Sequence, residues 1–406
     1  MVSRTAARLT ANTPAIATAH FRAEADPYDP ATNPGGYVNL GTAESRLTWD
    51  LLAPRLTHAL SSSDVHYGPL HGTDGLRTAI AALLAGTWRR PVDPDDLVVV
   101  SGATAALDIA ATALCDPGEV IVVPAPYYSA FEVDLAGRSG ARLVPAPMSD
   151  TLDPSVVDDV LTRLRRDGAT VRAVAITSPS NPQGHVYGAP VLRELLRVAR
   201  RHDVDVIADE IYTHSVFSPS PFVSVRDPML GGADRAHVIW GFAKDFGLSG
   251  LKVGVLHTTD PQVRAAARAL AYFAPTSTDT QALLRDLLAD TAWVRGFLAE
   301  SAARLAASHR ATAGLLDSSG IRYQAPAAGF SFWIDLRDRL TRTDFAAEHE
   351  LYERILDRAR VNILPGGAFA APEPGWFRLC HAVDAALVHE GITRLAAVLT
   401  PAGRHG

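Results

Sequence analysis

Between residues 75 and 260, short apolar runs alternate with stretches in which apolar side chains recur every three or four positions. The runs are Leu97–Val100, Val120–Val123, Arg142–Val144, Ala173–Thr177, Val204–Ala208, Val238–Trp240 and Val253–His257. The periodic stretches are Leu76–Trp88, Thr104–Leu114, Ser129–Ala136, Ser155–Arg166 and Pro190–His202. This alternation predicts βαβ units around a mainly parallel sheet, and such sheets bind ligands at the carboxyl ends of their strands. Residues 1–40 show no sustained period and are rich in Pro, Asn and Gly, so they predict an arm laid over another surface. Asp50–Leu60 has helical spacing. From 261 to 317 Ala, Leu and Arg recur at helical spacing with a break near Pro275–Thr278, which predicts long helices leading to a second, smaller domain. Residues 321–400 read as α+β: strands at Phe330–Ile334, Val361–Leu364 and Trp376–Cys380, and helices at Phe345–Ala359 and Asp384–Leu399. The expected division is an arm and part of the small domain at 1–45, a large domain at 46–275, and interdomain helices with the small domain at 276–406.

Composition narrows the class. Of 406 residues, 47% are hydrophobic and 20% charged, enough apolar material for a large globular core. A net charge of −6 without any Lys/Arg-rich block argues against a nucleic-acid partner. Cys115 and Cys380 have no metal-ligand or CxxC spacing, so buried, reduced thiols and a cytoplasmic chain are expected. Arg4 and Arg8 are followed by no apolar segment of a signal peptide, and no apolar run approaches the roughly 18 residues of a membrane span.

The candidate chemistry falls at predicted strand ends. Ser101-Gly-Ala103-Thr104 follows one run and opens a helix, where free N–H groups and the positive helix end favour phosphate. Pro126-Tyr-Tyr128 places aromatic rings where a planar heterocycle can stack. Asn181 lies in the Pro/Gly loop Ser178–Gly184, and Asp209 closes an apolar run with Tyr212 three residues on. Lys244 follows the run Val238–Trp240 in a glycine-bounded turn, where burial would make it a nucleophilic amine. Each feature also has an ordinary reading: a small-residue turn, core packing, a turn asparagine, a helix cap, a solvated lysine. The order phosphate loop, aromatic, Asn, Asp/Tyr, Lys describes pyridoxal phosphate held on Lys244.

Nearly the whole sequence resembles the fold-type I pyridoxal-phosphate enzymes of the class I/II aminotransferase family, and within it the 1-aminocyclopropane-1-carboxylate (ACC) synthase branch. The resemblance rests on Asn33-Pro-Gly, Gly41-Thr-Ala-Glu44, Pro126-Tyr-Tyr128, Ser178-Pro-Ser-Asn-Pro182, Lys244-Asp245, Pro365-Gly-Gly-Ala-Phe369 and Glu373-Pro-Gly-Trp-Phe-Arg378. It implies an α/β fold with a mainly parallel sheet in the large domain and a smaller α+β domain. It further implies Lys244 as Schiff-base lysine, Asp209 on the pyridine nitrogen, and Asn181 and Tyr212 on the ring oxygen. Tyr128 stacks on the ring, Ala103 and Thr104 seat the phosphate, Arg378 clamps the substrate carboxylate and Glu44 stands near the substrate. Tyr67 is expected to reach the phosphate of a neighbouring subunit in a homodimer. Departures occur where the family usually has serine (Gly241, Ala243) and arginine (Lys252), and where plant ACC synthases have arginine (Val133). Lys252, a point charge without a fork, then joins the phosphate grip, with Thr276–Thr278 as a further contributor. The implied activity is release of methylthioadenosine from S-adenosylmethionine, ending in cyclisation, γ-replacement with a second small molecule, or annulation. The alternatives are an amino-acid aminotransferase and a non-catalytic cofactor-binding sensor.

Overall fold

The computed structural model describes residues 2–11 and 15–399; parts of the expected arm (residues 1 and 12–14) and of the small domain (400–406) lie outside the described residues. The side chains of Arg4 and Arg8 are likewise outside them.

All seven apolar runs are strands of one sheet: β1 (Leu97–Val100), β2 (Val120–Ala125), β3 (Arg142–Pro147), β4 (Val171–Thr177), β5 (Asp205–Asp209), β6 (Ala236–Gly241) and β7 (Gly254–His257). Their order is β1-β7-β6-β5-β4-β2-β3. The pairs from β3 to β6 are parallel, and β7 runs antiparallel to both its neighbours. Helices cover both faces, so the strands are continuously apolar rather than alternating. Alternate residues still choose opposite sides: Leu97 and Val99 join the core that holds Trp88 and Trp240, while Val98 and Val100 join the one that holds Ile121 and Ile239.

A second, four-stranded antiparallel sheet has the order β10-β11-β9-β8, with β8 (Arg322–Gln324), β9 (Ser331–Asp335), β10 (Leu364–Pro365) and β11 (Trp376–Cys380). Three helices (Pro261–Leu270, Thr278–Ala289 and Thr291–Ser318) lead to it. Its core takes Phe332, Ile334, Ile355 and Leu379 together with Ala19, Ala23, Val38 and Leu40 from the other end of the chain. Val38–Asn39 pairs in parallel with Val361–Asn362.

Three expectations are corrected. The arm is not patternless: Arg4–Ala11 and Ala15–Ala25 are helices, alanine-rich segments with high helix propensity, the first too short to show a sustained period and the second with little apolar contrast between faces. Asp50–Leu60 is helical only over Trp49–Leu52 and a following 3-10 turn Ala53–Arg55. Ser129–Ala136 shrinks to one turn, Phe131–Asp134. Among the described residues no helix is long and apolar enough to cross a membrane, and no cluster suited to a metal ion occurs. Cys115 and Cys380 are buried free thiols.

Candidate active site

A cavity of about 150 Å³ lies at the carboxyl ends of β4, β5 and β6. One water needs roughly 10–15 Å³ by the same measure, so the space suits an organic group. Ala103, Thr104, Tyr128, Asn181, Asp209, Tyr212, Lys244 and Lys252 all line it. The chain contains two lysines, Lys244 and Lys252, and both stand in this wall.

Lys244 is fixed by the turn that carries it. After β6 the helix Phe242–Asp245 makes a single turn with Phe242 and Asp245 buried. Asp245 accepts from Trp240 Nε1 (3.1 Å), Ser215 Oγ (2.8 Å) and the His214 N–H (3.1 Å). With that side anchored, Ala243 and Lys244 face the cavity. Lys244 Nζ donates to the Ala43 carbonyl at 2.5 Å. Desolvation, and then the nearby Arg378, lower its pKa to about 8, against weaker opposition from Cys380, Glu44 and Asp209. The amine is therefore far more available near neutrality than an ordinary lysine.

Asp209 closes β5 and is buried, and among the described residues the one hydrogen bond its side chain accepts is from the Ile211 N–H at 3.3 Å. Desolvation is the main cause that pushes its carboxyl up to about 7. A buried carboxylate with so little support calls for a cationic donor, and a pyridinium N–H supplies one. Tyr212 is buried edge-on to Phe330 (5.2 Å between centroids). Burial raises the pKa of both Tyr212 and Tyr128, so each remains a neutral phenol able to donate.

Arg378, on β11, is buried and joins the two ends of the chain to the cavity. Its Nη1 donates to Asn181 Oδ1 at 3.0 Å and its Nη2 to the Gly41 carbonyl at 2.6 Å, while the guanidinium lies 4.9 Å from the Phe369 ring centroid. Its Nε is buried without a partner among the described residues. Among the described residues no carboxylate forms an ion pair with it, which suits a clamp for a substrate carboxylate. Arg378→Lys keeps the charge and loses the fork. We expect KM to rise about 10- to 100-fold, the cost of a charge-assisted hydrogen bond at 1.5–3 kcal/mol, with a smaller change in kcat; steady-state kinetics measures both.

The turn expected to seat phosphate is the N-terminus of helix Ala103–Leu114 behind Gly102. The tight approach of β7 makes it: a Cβ on Gly254 would sit 2.2 Å from the Gly102 carbonyl carbon. A Cβ on Gly241 would lie 2.7 Å from the Val253 carbonyl oxygen, so a serine there requires backbone movement. Lys252 reaches over this seat, its Nζ 3.5 Å from where a Gly102 Cβ would stand.

Two expected residues, Glu44 and Tyr67, and one expected segment, Thr276–Thr278, stand elsewhere. Glu44 does not line this cavity; it lines an adjoining one of about 100 Å³ with Tyr28, Tyr37 and Arg46. Tyr67 is fully exposed and forms no part of the cavity within one chain. Thr276–Thr278 is also absent from the cavity wall, and the Thr278 hydroxyl donates to the Asp64 carbonyl at 2.6 Å. The structure also adds residues to the site that the motifs had not singled out: Asp134 and Ser249, both in the cavity wall, and the carbonyls of Gly41 and Ala43. The signal for Asp134 was a carboxylate three residues after Phe131, on the apolar face of a predicted helix. The scarcity of lysine would itself have pointed to Lys244 and Lys252.

The family model "Aminotransferase class I and II" matches residues 37–395. The chain is 33% identical over 381 residues to a 1-aminocyclopropane-1-carboxylate synthase of Glycine max, covering 88% of this chain and 79% of that protein. It is 35% identical over 387 residues to 1-aminocyclopropane-1-carboxylate synthase 3 of Oryza sativa subsp. japonica, covering 88% and 86%. Among solved structures, Thermus thermophilus aspartate aminotransferase with maleate superimposes with a TM-score of 0.82 at 24% identity over 98% of this chain and 99% of that one, which shows the fold. The unsupported carboxylate of Asp209, the amine of Lys244 and the glycine-lined helix end fit pyridoxal phosphate, the cofactor of this family. The chain belongs to the class I and II aminotransferase family, in its ACC synthase-like branch, and is a pyridoxal-phosphate-dependent enzyme.

Proposed function

We propose that the enzyme acts on S-adenosylmethionine, removing the α-proton and releasing methylthioadenosine from Cγ, to give ACC or a γ-substituted or annulated amino acid. The observation that carries this reading is the state of Glu44. Its carboxylate accepts from Ser249 Oγ, which lies in the cofactor cavity wall, and from Arg46 Nε at 3.1 Å. Burial tends to raise its pKa, but the Ser249 and Arg46 hydrogen bonds prevail and hold it below the usual value. A carboxylate kept ionised beside the cavity attracts a substrate whose side chain is a sulfonium cation and repels an acidic side chain such as that of aspartate. The identity with ACC synthases across 88% of the chain supports the same substrate.

The residues divide the work. Arg378 binds the α-carboxylate and fixes the Cα–H bond relative to Lys244. Lys244 Nζ receives the α-proton, a task suited to an amine with pKa near 8. Asp209 keeps the ring nitrogen protonated, and Asn181 and Tyr212 donate to the ring oxygen. Bound pyridoxal phosphate supplies the electron sink. Exposed Trp49, Leu60, Val65 and Tyr67 support a homodimer in which Tyr67 completes a neighbour's phosphate seat. The free thiols suit the reducing cytoplasm.

The test is product analysis after incubation of the loaded enzyme with S-adenosylmethionine. Methylthioadenosine is expected. A keto acid with pyridoxamine phosphate makes the protein an aminotransferase instead. No turnover of any amino acid makes it a sensor, and either result sinks this reading.

A further inference from the structure

Asp134 is a charged group in the cavity wall to which neither substrate nor cofactor binding assigns a role. It ends the single turn Phe131–Asp134 and shares a face with the buried Phe131 ring, three residues earlier. The residue is 6% exposed, and among the described residues its side chain accepts one hydrogen bond, from Thr104 Oγ1 at 3.3 Å. No ion pair holds it among the described residues. A buried carboxylate is out of place in a seat for a phosphate dianion, because two anions there repel. The groups facing it sharpen the conflict. Asp108 lies one turn further along the helix that carries Thr104 and is itself paired with Arg138 at 3.1 Å. Asp209 and the phenol of Tyr128 face it across the cavity, and Lys252 is the one cation among these neighbours.

We propose that Asp134 takes up a proton when the cofactor phosphate binds and donates it as a hydrogen bond to that phosphate, in place of the hydroxyls that Gly241 and Ala243 lack. The inference rests on the assignment of the phosphate seat to Gly102–Thr104. The proton comes from solvent, and no covalent bond to phosphorus or carbon changes. Desolvation, with a smaller push from Asp108, raises the Asp134 carboxyl to about 7 against the opposing pull of Thr104 and Lys252. Below that pH the group already holds its proton and binding costs nothing extra. Above it the group is ionised in the free protein, so each unit of pH costs about tenfold in phosphate affinity.

Pyridoxamine 5′-phosphate is the probe, because without an aldehyde it cannot join Lys244. Calorimetric titrations in buffers of different ionisation enthalpy count the protons taken up. At about pH 8, wild-type protein is expected to take up about one proton more than Asp134→Asn, whose amide donates to phosphate and accepts from Thr104 without titrating. Over the next pH unit the wild-type affinity falls about tenfold relative to the asparagine variant. Asp134→Leu, with no donor, binds about tenfold or more weakly than Asp134→Asn at the same pH. Equal proton uptake in wild type and Asp134→Asn overturns the proposal, as does an asparagine variant that binds as weakly as the leucine one. Absence of binding to the wild type refutes the phosphate seat itself, and this inference with it.

Discussion

Lys244→Ala is expected to abolish turnover and, with it, the visible absorbance of the bound cofactor. On the proposed reading Lys244 serves twice, as the amine joined to the cofactor and as the group that takes the α-proton. General base catalysis alone contributes about 10²–10⁴-fold, and loss of the covalent link adds to that, so kcat should fall beyond about 10⁴-fold. Lys252, the other lysine of the chain, is no substitute, since it lies over the phosphate seat beside Gly102. The scarcity of lysine makes a second readout unusually clean. Borohydride reduction of the loaded enzyme should label one peptide, that of Lys244, and leave Lys252 unmodified. Residual activity in the variant, or a label on Lys252, refutes the assignment.

The next largest effect is expected at Asp209. Asp209→Ala removes the acceptor for the ring N–H and leaves that cation buried with no counter-charge. The charge-assisted bond is worth about 1.5–3 kcal/mol, so cofactor affinity should fall about 10- to 100-fold. kcat should fall further, because a deprotonated ring nitrogen is a poorer electron sink. The linkage has a definite sign. Without a cation the Asp209 carboxyl sits near pH 7; a facing pyridinium lowers it, and the carboxylate in turn keeps the ring nitrogen protonated to higher pH. The variant should therefore lose activity as pH rises through a range where the wild type is flat. A pH profile of kcat with saturating cofactor checks this, and a profile unchanged in height and shape would refute the pairing.

Much of the architecture was legible because a buried parallel sheet writes itself as short apolar runs. The start of β6 was misplaced by two residues because Ala236 and His237 are buried yet not strongly apolar. The strand-end motifs were legible for a related reason: function sits where the apolar pattern stops. Less legible were features set by distant partners. The helix Ala15–Ala25 is stabilised by burial of Ala19 and Ala23 against the small-domain core, residues too small to mark a face. Ser249 reads as a turn residue until Glu44, 205 positions away, is placed against it. Asp134 shares the apolar face of its predicted helix with Phe131, but only the fold shows that this face borders the cavity. Glu44 and Tyr67 illustrate the remaining limit. Their motifs could be recognised, but a motif does not say that one lies behind a serine in a neighbouring cavity and the other points away from its own chain.

Arg378 donates its hydrogen bonds to Asn181 and to Gly41, which is 337 residues away along the chain. The carbonyl that steadies the guanidinium belongs to the same four-residue loop whose Ala43 carbonyl holds Lys244. During synthesis Lys244, Asp209 and the Gly102–Thr104 turn are all made before Arg378, the residue proposed to bind the substrate carboxylate. On the proposed reading, substrate recognition is the last part of the machinery to be completed, when the Gly41–Glu44 loop meets β11.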